Sequence, residues 1–262
     1  MKKITYIIPI HKIDDAIETM VKNAYTSIKN MASLEDDKVM FVGPKTIIEK
    51  AVEACGATDA VMIENDETDF YTQINKAALQ CTTPYFSILE FDDEYVPYWK
   101  EKALEYAENG ASILLPLVEL RRDGKMVAFA NEVAWSSIFA NQTNNELGYI
   151  DNDCLNDAMD FNVTGALIKT EDFISLGCLK PSLKIAAWYE FLNRAAKNSK
   201  YIYVVPVIGY YHTIDREDSY MVNAGNEITA DEARWLINTA KQEYFFKEDR
   251  NRKFGEDNPD VE

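Results

Sequence analysis

The sequence is poor in the residues that build zinc clusters and phosphate cradles. It has two histidines and four cysteines in 262 residues. Cys55, Cys81, Cys154 and Cys178 form no Cys-x-x-Cys pair, which argues against a structural zinc site. Nothing resembles a secreted disulfide framework either, so a soluble protein of a reducing, cytoplasmic compartment is expected. No apolar run approaches the roughly 18 residues of a membrane span. The opening "MKKITYIIPIHK" has a basic start, but its apolar run of about six residues meets a proline and a histidine, too short for a signal peptide. The following "PIHKIDD" has no glycine and one lysine, so the glycine-rich basic loop by which a nucleotidyltransferase cradles a triphosphate is missing. Basic residues are scarce: 27 against 44 acidic, a net charge of −17. Such a surface repels phosphate backbones and anionic membranes, which makes general nucleic-acid binding unfavourable. A phosphorylated ligand is most easily held here with a cation between it and the carboxylates.

What the chain does have is apolar content, 47% of residues, enough for a sizeable core. "ITYIIPI" (4–10) is a continuously apolar, β-branched run, the type buried on both faces of a sheet. Residues 14–31 carry Ala16, Ile17, Met20, Val21, Ala24 and Ile28 at helical spacing. "KVMFVG" (38–43) is a second strand and 46–54 a helix capped by Gly56. "DAVMIE" (59–64) is a third strand, 70–81 a helix and "YFSILEF" (85–91) a fourth strand. Strand–helix alternation of this kind predicts α/β architecture, with a mostly parallel twisted sheet and helices on both faces. The second half is less regular. It should hold a helix over 97–109, a hairpin turning at Asp123–Gly124, a polar loop over 141–160, a strand over 161–169 and a short helix ending at Gly177. A helix over 184–198, a strand over 201–212 broken by Pro206 and an amphipathic helix over 229–247 follow.

The fourth strand runs directly into Glu90, Asp92 and Asp93. Acidic runs are commonly solvated turns. Here an apolar strand holds the carboxylates, and parallel sheets bind ligands beyond the carboxyl ends of their strands. Acids spaced this way at a rigid strand end suit a hard divalent cation shared with substrate phosphates.

In order and spacing, these segments resemble the family-two glycosyltransferases of GT-A fold, over roughly residues 4–220. "ITYIIPIH" resembles that family's first strand, whose following turn borders the nucleotide. In "QINKAALQCTTPYFSILEFDDEYVP", Asn75 lies fifteen residues before Glu90, and the Asp-x-Asp-Asp pattern falls on Glu90, Phe91, Asp92 and Asp93. "VTGALIKTEDFISLG" (163–177) and "FLNRAAKNSKYIYVVPVIGYYHTIDREDS" (191–219) resemble the acceptor-side strand and helix, then the closing helix, final strand and histidine loop. The resemblance implies one domain, 1–247. Residues 1–95 would be the nucleotide half, 96–228 a smaller mixed acceptor half, 229–247 a C-terminal helix and 248–262 an acidic tail. It implies transfer of a sugar from a UDP- or GDP-sugar to a glycan or other hydroxyl acceptor, with Mn²⁺ or Mg²⁺. Pro9, His11, Asn75, Glu90 and Asp92 would bind the donor. Asp92, Glu90 and His212 would hold the metal, and Asp93 would support the loop.

The chain departs from the pattern at three places. Glu90 stands where the family has aspartate. "FVGPK" puts Gly43 and Pro44 where an aspartate would contact the nucleoside. Counting back from Arg194, the catalytic base position falls on Ala187 and Trp188, which accept no proton. Glu190, one helical turn on, is a candidate displaced base. Asp151, Asp153, Asp157 and Asp160 are alternatives from the preceding polar segment. Trp188 is a candidate to stack on an acceptor sugar. These departures leave open a second reading, a GT-A-fold protein that binds without catalysing.

Overall fold

Residues Ile4–Pro9 form β1, and every one of them is buried, because helices cover both faces of the sheet at this strand. Ile4, Tyr6 and Ile8 pack with α1 (Asp15–Met31) and α2 (Lys45–Cys55), while Ile7 joins the opposite core with α3 (Phe70–Ala78). The computed structural model describes residues 4–31, 37–67, 69–216 and 219–245; the acidic tail lies outside them. β2 (Lys38–Gly43), β3 (Val61–Glu64) and β4 (Tyr85–Ile88) complete the first half, where β2 and β4 flank β1 in parallel and β3 lies outside β2. β5 (Glu94–Tyr95), α4 (Trp99–Ala107), β6 (Ile113–Arg122) and β7 (Lys125–Ala130) follow, with Asp123 and Gly124 at positive φ in the β6–β7 turn. Then come α5 (Ser137–Gln142), β8 (Tyr149–Ile150), α6 (Asn152–Asp157), β9 (Leu167–Lys169) and α7 (Thr170–Ser175). α8 (Ala187–Lys197), β10 (Ile202–Thr213), α9 (Tyr220–Glu227) and α10 (Ala230–Phe245) close the described chain.

The sheet runs β3-β2-β1-β4-β9-β6-β10-β5, with β7 beside β6 and β8 beside β10. Its first half is parallel and its second mixed: β6 and β10 are long parallel partners, and β9 inserts antiparallel between β4 and β6. Parallel strands put their carboxyl ends on one edge, which is where the 89–93 and 212–216 segments meet.

Four expectations need correction. The fourth strand ends at Ile88 rather than 91. Leu89 makes one more bond, to Ile7 O at 2.9 Å, and the chain then turns, with Asp93 N donating to Glu90 O at 3.1 Å. The polar 141–160 segment is not a plain loop, because Ser136 and Asp151 N-cap α5 and α6. The expected strand over 161–169 shortens to β9, since Gly165 turns the chain across Tyr210. A Cβ there would lie 2.3 Å from the Tyr210 ring, and φ is 73°. Pro206 does not break β10. It sits exposed within a register shift between Val204 and Ile208, so the β6 ladder resumes after it.

Asp172 on α7 ties this helix to the start of β10. Its Oδ1 accepts from Lys200 Nζ at 2.6 Å. Burial opposes the charge, but Lys200, Ser112 and Lys169 outweigh it and hold the carboxyl below the ordinary aspartate value. A depressed native pKa adds stability above the unfolded value of about 3.9, and that stability is lost as pH falls through the native pKa. Asp172→Asn is therefore expected to cost about 1–2 kcal/mol at pH 7 and less at pH 3, read from urea unfolding. An equal deficit at both pH values would contradict the assignment.

Candidate functional site

The turn after β4 is held from both sides. Leu89, Phe91 and Asp93 are buried, whereas Glu90 and Asp92, alternating with them, are only partly covered, so the alternation turns these two acids toward the sheet edge. Tyr210 Oη accepts from Glu90 N at 3.0 Å. Asp93 is turned inward, its side chain 0% exposed. Its Oδ1 accepts from Thr213 N at 2.7 Å, and its Oδ2 lies 2.8 Å from His212 Nδ1. Thr213 Oγ1 donates to Asp92 O at 2.8 Å. Residues 120 positions apart are thereby clasped at the end of β10.

Two adjoining cavities open beside this clasp and share Phe70, Glu90 and Ser219. The smaller is lined by Pro9, His11, Phe91, Asp92 and Arg216. The larger, of about 300 Å³, has walls that include Trp188, Tyr189, Asp160, Asn162 and His212. The residues expected to contact a donor are thus divided. Pro9, His11, Glu90 and Asp92 come together. Asn75 does not join them: its amide donates to Leu179 O and its Oδ1 accepts from Leu179 N, both at 2.9 Å, tying α3 to the loop after α7.

The expected displaced base is also corrected. Glu190 is 0% exposed and lies between two cations. Arg194 donates to it twice, at 2.8 and 3.1 Å, and Lys180 Nζ sits 2.9 Å away. Arg194 goes on to donate to Leu176 O and Cys178 O. Withdrawing Glu190 for proton transfer would strand a buried guanidinium, so the pair is a clamp on the 176–180 loop. Trp188, by contrast, faces the larger cavity and packs edge-on against Tyr71 and Phe191, at 6.5 and 6.0 Å.

Glu90, Asp93 and His212 place one ligand atom each within 4.8 Å of one another. Asp92 lies beside them with its carboxylate 3.5 Å from Arg216 Nε. Arg216 stacks over Phe91 at 4.8 Å, and His11 meets the same ring edge-on at 5.8 Å. Arg216 belongs to the site although its sequence context, between Asp215 and Glu217, marks it only as one charge in a polar run. Burial, then Asp93 and Asp92, push Glu90 up to about 8. Burial and Asp93 push Asp92 up to about 6 against the pull of Arg216. Burial disfavours the His212 cation, but Asp93, Glu90 and Asp92 outweigh it and raise the group to about 10. Carboxylates this crowded and dry, with an imidazole among them, suit a divalent cation in donor type and in charge.

No family model matches the sequence, and no curated protein is similar enough to match. Solved structures do match. S. aureus TarS 1–349 aligns over 96% of this chain and 74% of its own, at 15% identity and a TM-score of 0.59. Its complex with UDP-GlcNAc aligns over 94% and 67%, at 15% identity and a TM-score of 0.66. A longer TarS structure is covered over only 44% of its length. TarS is a GT-A-type glycosyltransferase. The present chain has the GT-A fold.

Within that fold, Gly43 at the end of β2 has no room for a side chain. A Cβ would lie 1.9 Å from Ile10 O, because Ile10 N donates to Val42 O and draws the two backbones together. An acid at this position is excluded by packing.

The crowding in the GT-A site has a cost that can be measured. Glu90 binds its proton more tightly folded than unfolded, where about 4.3 is usual, so its contribution to stability falls as pH rises from about 4.3 toward 8. Glu90→Gln should therefore raise stability at pH 8 by about 1–3 kcal/mol and change little at pH 4, read from thermal or urea unfolding without added metal. A variant less stable than wild type at pH 8 would refute this account of the cluster.

Proposed function

We propose that the protein transfers a sugar from a nucleoside-diphosphate sugar to an acceptor hydroxyl, assisted by Mn²⁺ or Mg²⁺. The observation that carries this reading is the clasp of the 90–93 turn to His212, at the carboxyl edge of a parallel sheet and beside a cavity of about 300 Å³. The complexes of TarS with UDP-GlcNAc and UDP support a uridine donor over a guanosine one.

His212, Glu90 and Asp92 would hold the cation, with Asp93 keeping the imidazole oriented through Nδ1. Bound there, the cation supplies Lewis-acid stabilisation of the leaving diphosphate. Pro9, His11 and Phe91 form an apolar and aromatic wall on the donor side. Arg216, already beside Asp92, supplies a cation within the site that suits a phosphate oxygen. Trp188 offers an aromatic face to the larger cavity, where an acceptor sugar would stack. The four cysteines are free thiols, which suits a cytoplasmic setting, and no described helix is long and apolar enough to cross a membrane.

One observation favours a second reading, a binding module. Ala187 and Trp188 occupy the expected base position, and Glu190 is committed to Arg194. Calorimetric titration of UDP, GDP and their sugars, with and without Mn²⁺, separates the outcomes. The transferase reading expects metal-dependent nucleotide binding, diphosphate release from one donor, and at least tenfold weaker nucleotide binding in His212→Ala. Binding without turnover selects the module. No binding by any nucleotide defeats both.

A further inference from the structure

An inverting transfer needs a group in the cavity that takes the acceptor's proton, and neither the expected position nor Glu190 provides one. We infer that Asp160 is this general base, an assignment that rests on the transferase reading. Among the described residues lining the larger cavity, the carboxylates are Glu90 and Asp160. Glu90 belongs to the crowded cluster with Asp93 and His212. Tyr189 donates its hydroxyl to Leu155 O at 2.9 Å, and His212 spends Nδ1 on Asp93. The other aspartates of this segment are placed elsewhere. Asp151 caps α6, and Asp153 and Asp157 are exposed on that helix and line neither cavity.

Asp160 sits on an anchored segment. Phe161 and Val163 after it are buried. Asn131, itself buried at positive φ, grips Asn162 from both sides. Its Oδ1 accepts from Asn162 N at 2.8 Å, and its amide donates to Asn162 O at 2.9 Å and to Pro116 O at 2.8 Å. Asn162 Oδ1 in turn accepts from Thr164 N at 2.8 Å. The loop is pinned two residues after Asp160 while the aspartate itself stays exposed. A base needs both properties, fixed position and a carboxylate open to substrate.

The step balances as follows. The acceptor O–H bond breaks and its proton goes to the Asp160 carboxylate. The acceptor oxygen bonds the anomeric carbon from the face opposite the leaving group. The bond from that carbon to the diphosphate oxygen breaks, with its electron pair leaving on the diphosphate. The products are an inverted glycoside, a nucleoside diphosphate and protonated Asp160, which returns its proton to water.

The test uses the full chain with Mn²⁺ and a panel of UDP- and GDP-sugars, following diphosphate release to water and to a panel of sugar hydroxyl acceptors. Asp160→Asn should lower turnover by about 10²–10⁴, with nucleotide affinity unchanged within about twofold. Asp160→Glu should recover part of the rate. An Asp160→Asn variant that keeps wild-type turnover overturns the assignment and leaves the transferase reading standing. Wild-type protein that binds donor but releases no diphosphate overturns the assignment in favour of the module. Absence of nucleotide binding overturns the transferase reading, and this one with it.

Discussion

The site depends on one buried carboxylate. Asp93 reaches from the turn after β4 to the far end of β10, where it takes a backbone N–H from Thr213 and faces the His212 imidazole. Burying a charge is costly unless it is paired and hydrogen-bonded, and each charge-assisted bond returns about 1.5–3 kcal/mol. Asp93 meets that condition only when the two segments are in register. The pairing of Tyr95 with Tyr210, and the Tyr210 hydroxyl under Glu90 N, brace the same junction. The turn after β4 and the closing strand are therefore joined by a cluster of polar contacts centred on Asp93, and both cavities open beside it.

That junction explains why three acids can follow a buried strand. Asp93 is absorbed into the structure. Glu90 and Asp92 remain, raised by burial and by Asp93; among the described residues, the charges that offset them are Arg216 and His212. The arrangement carries strain in charge rather than in backbone. A site kept this way at a cost in stability is the pattern expected where a bound cation completes the charge balance.

The sequence made most of the first half legible because β1, β2 and β4 are covered on both faces, so burial and periodicity point the same way. The run 4–10 and the capped helices α2 and α3 needed no tertiary information. The second half was harder to read for a physical reason. Short antiparallel elements such as β8 and β9 are defined by their partners, and the 161–166 segment is shaped by Gly165 crossing Tyr210 rather than by local preference. At the site, Glu90, Asp92 and His212 could be picked out as acids and an imidazole near strand ends. The structural duty of Asn75 could not, because its partner Leu179 lies on a loop whose position only the fold sets; for Glu190 the i,i+4 partner Arg194 is readable on the helix, but Lys180 and the burial of the pair are not. Asn131 escaped notice for the same reason: its partners lie 15 and 31 residues away, at Pro116 and Asn162.

The polar groups that the fold turned to structure indicate how its chemistry is divided. Asn75 and the Glu190–Arg194 pair clamp the 176–180 loop from two helices. Trp188 lines the larger cavity from the first turn of α8. At the sheet edge, the packing of Gly43 against Ile10 leaves no room for a side chain beside the acidic turn. The sheet edge fixes the wall formed by Pro9, Phe91 and Asp92, so changes there are limited to what backbone packing allows. The larger cavity is built mainly from loops and the first turn of α8, which tolerate replacement of one functional group by another on a different segment. The proposed use of Asp160 as proton acceptor would place that group on the pinned 160–164 loop. It leaves the sheet, the acidic turn and the His212 clasp untouched.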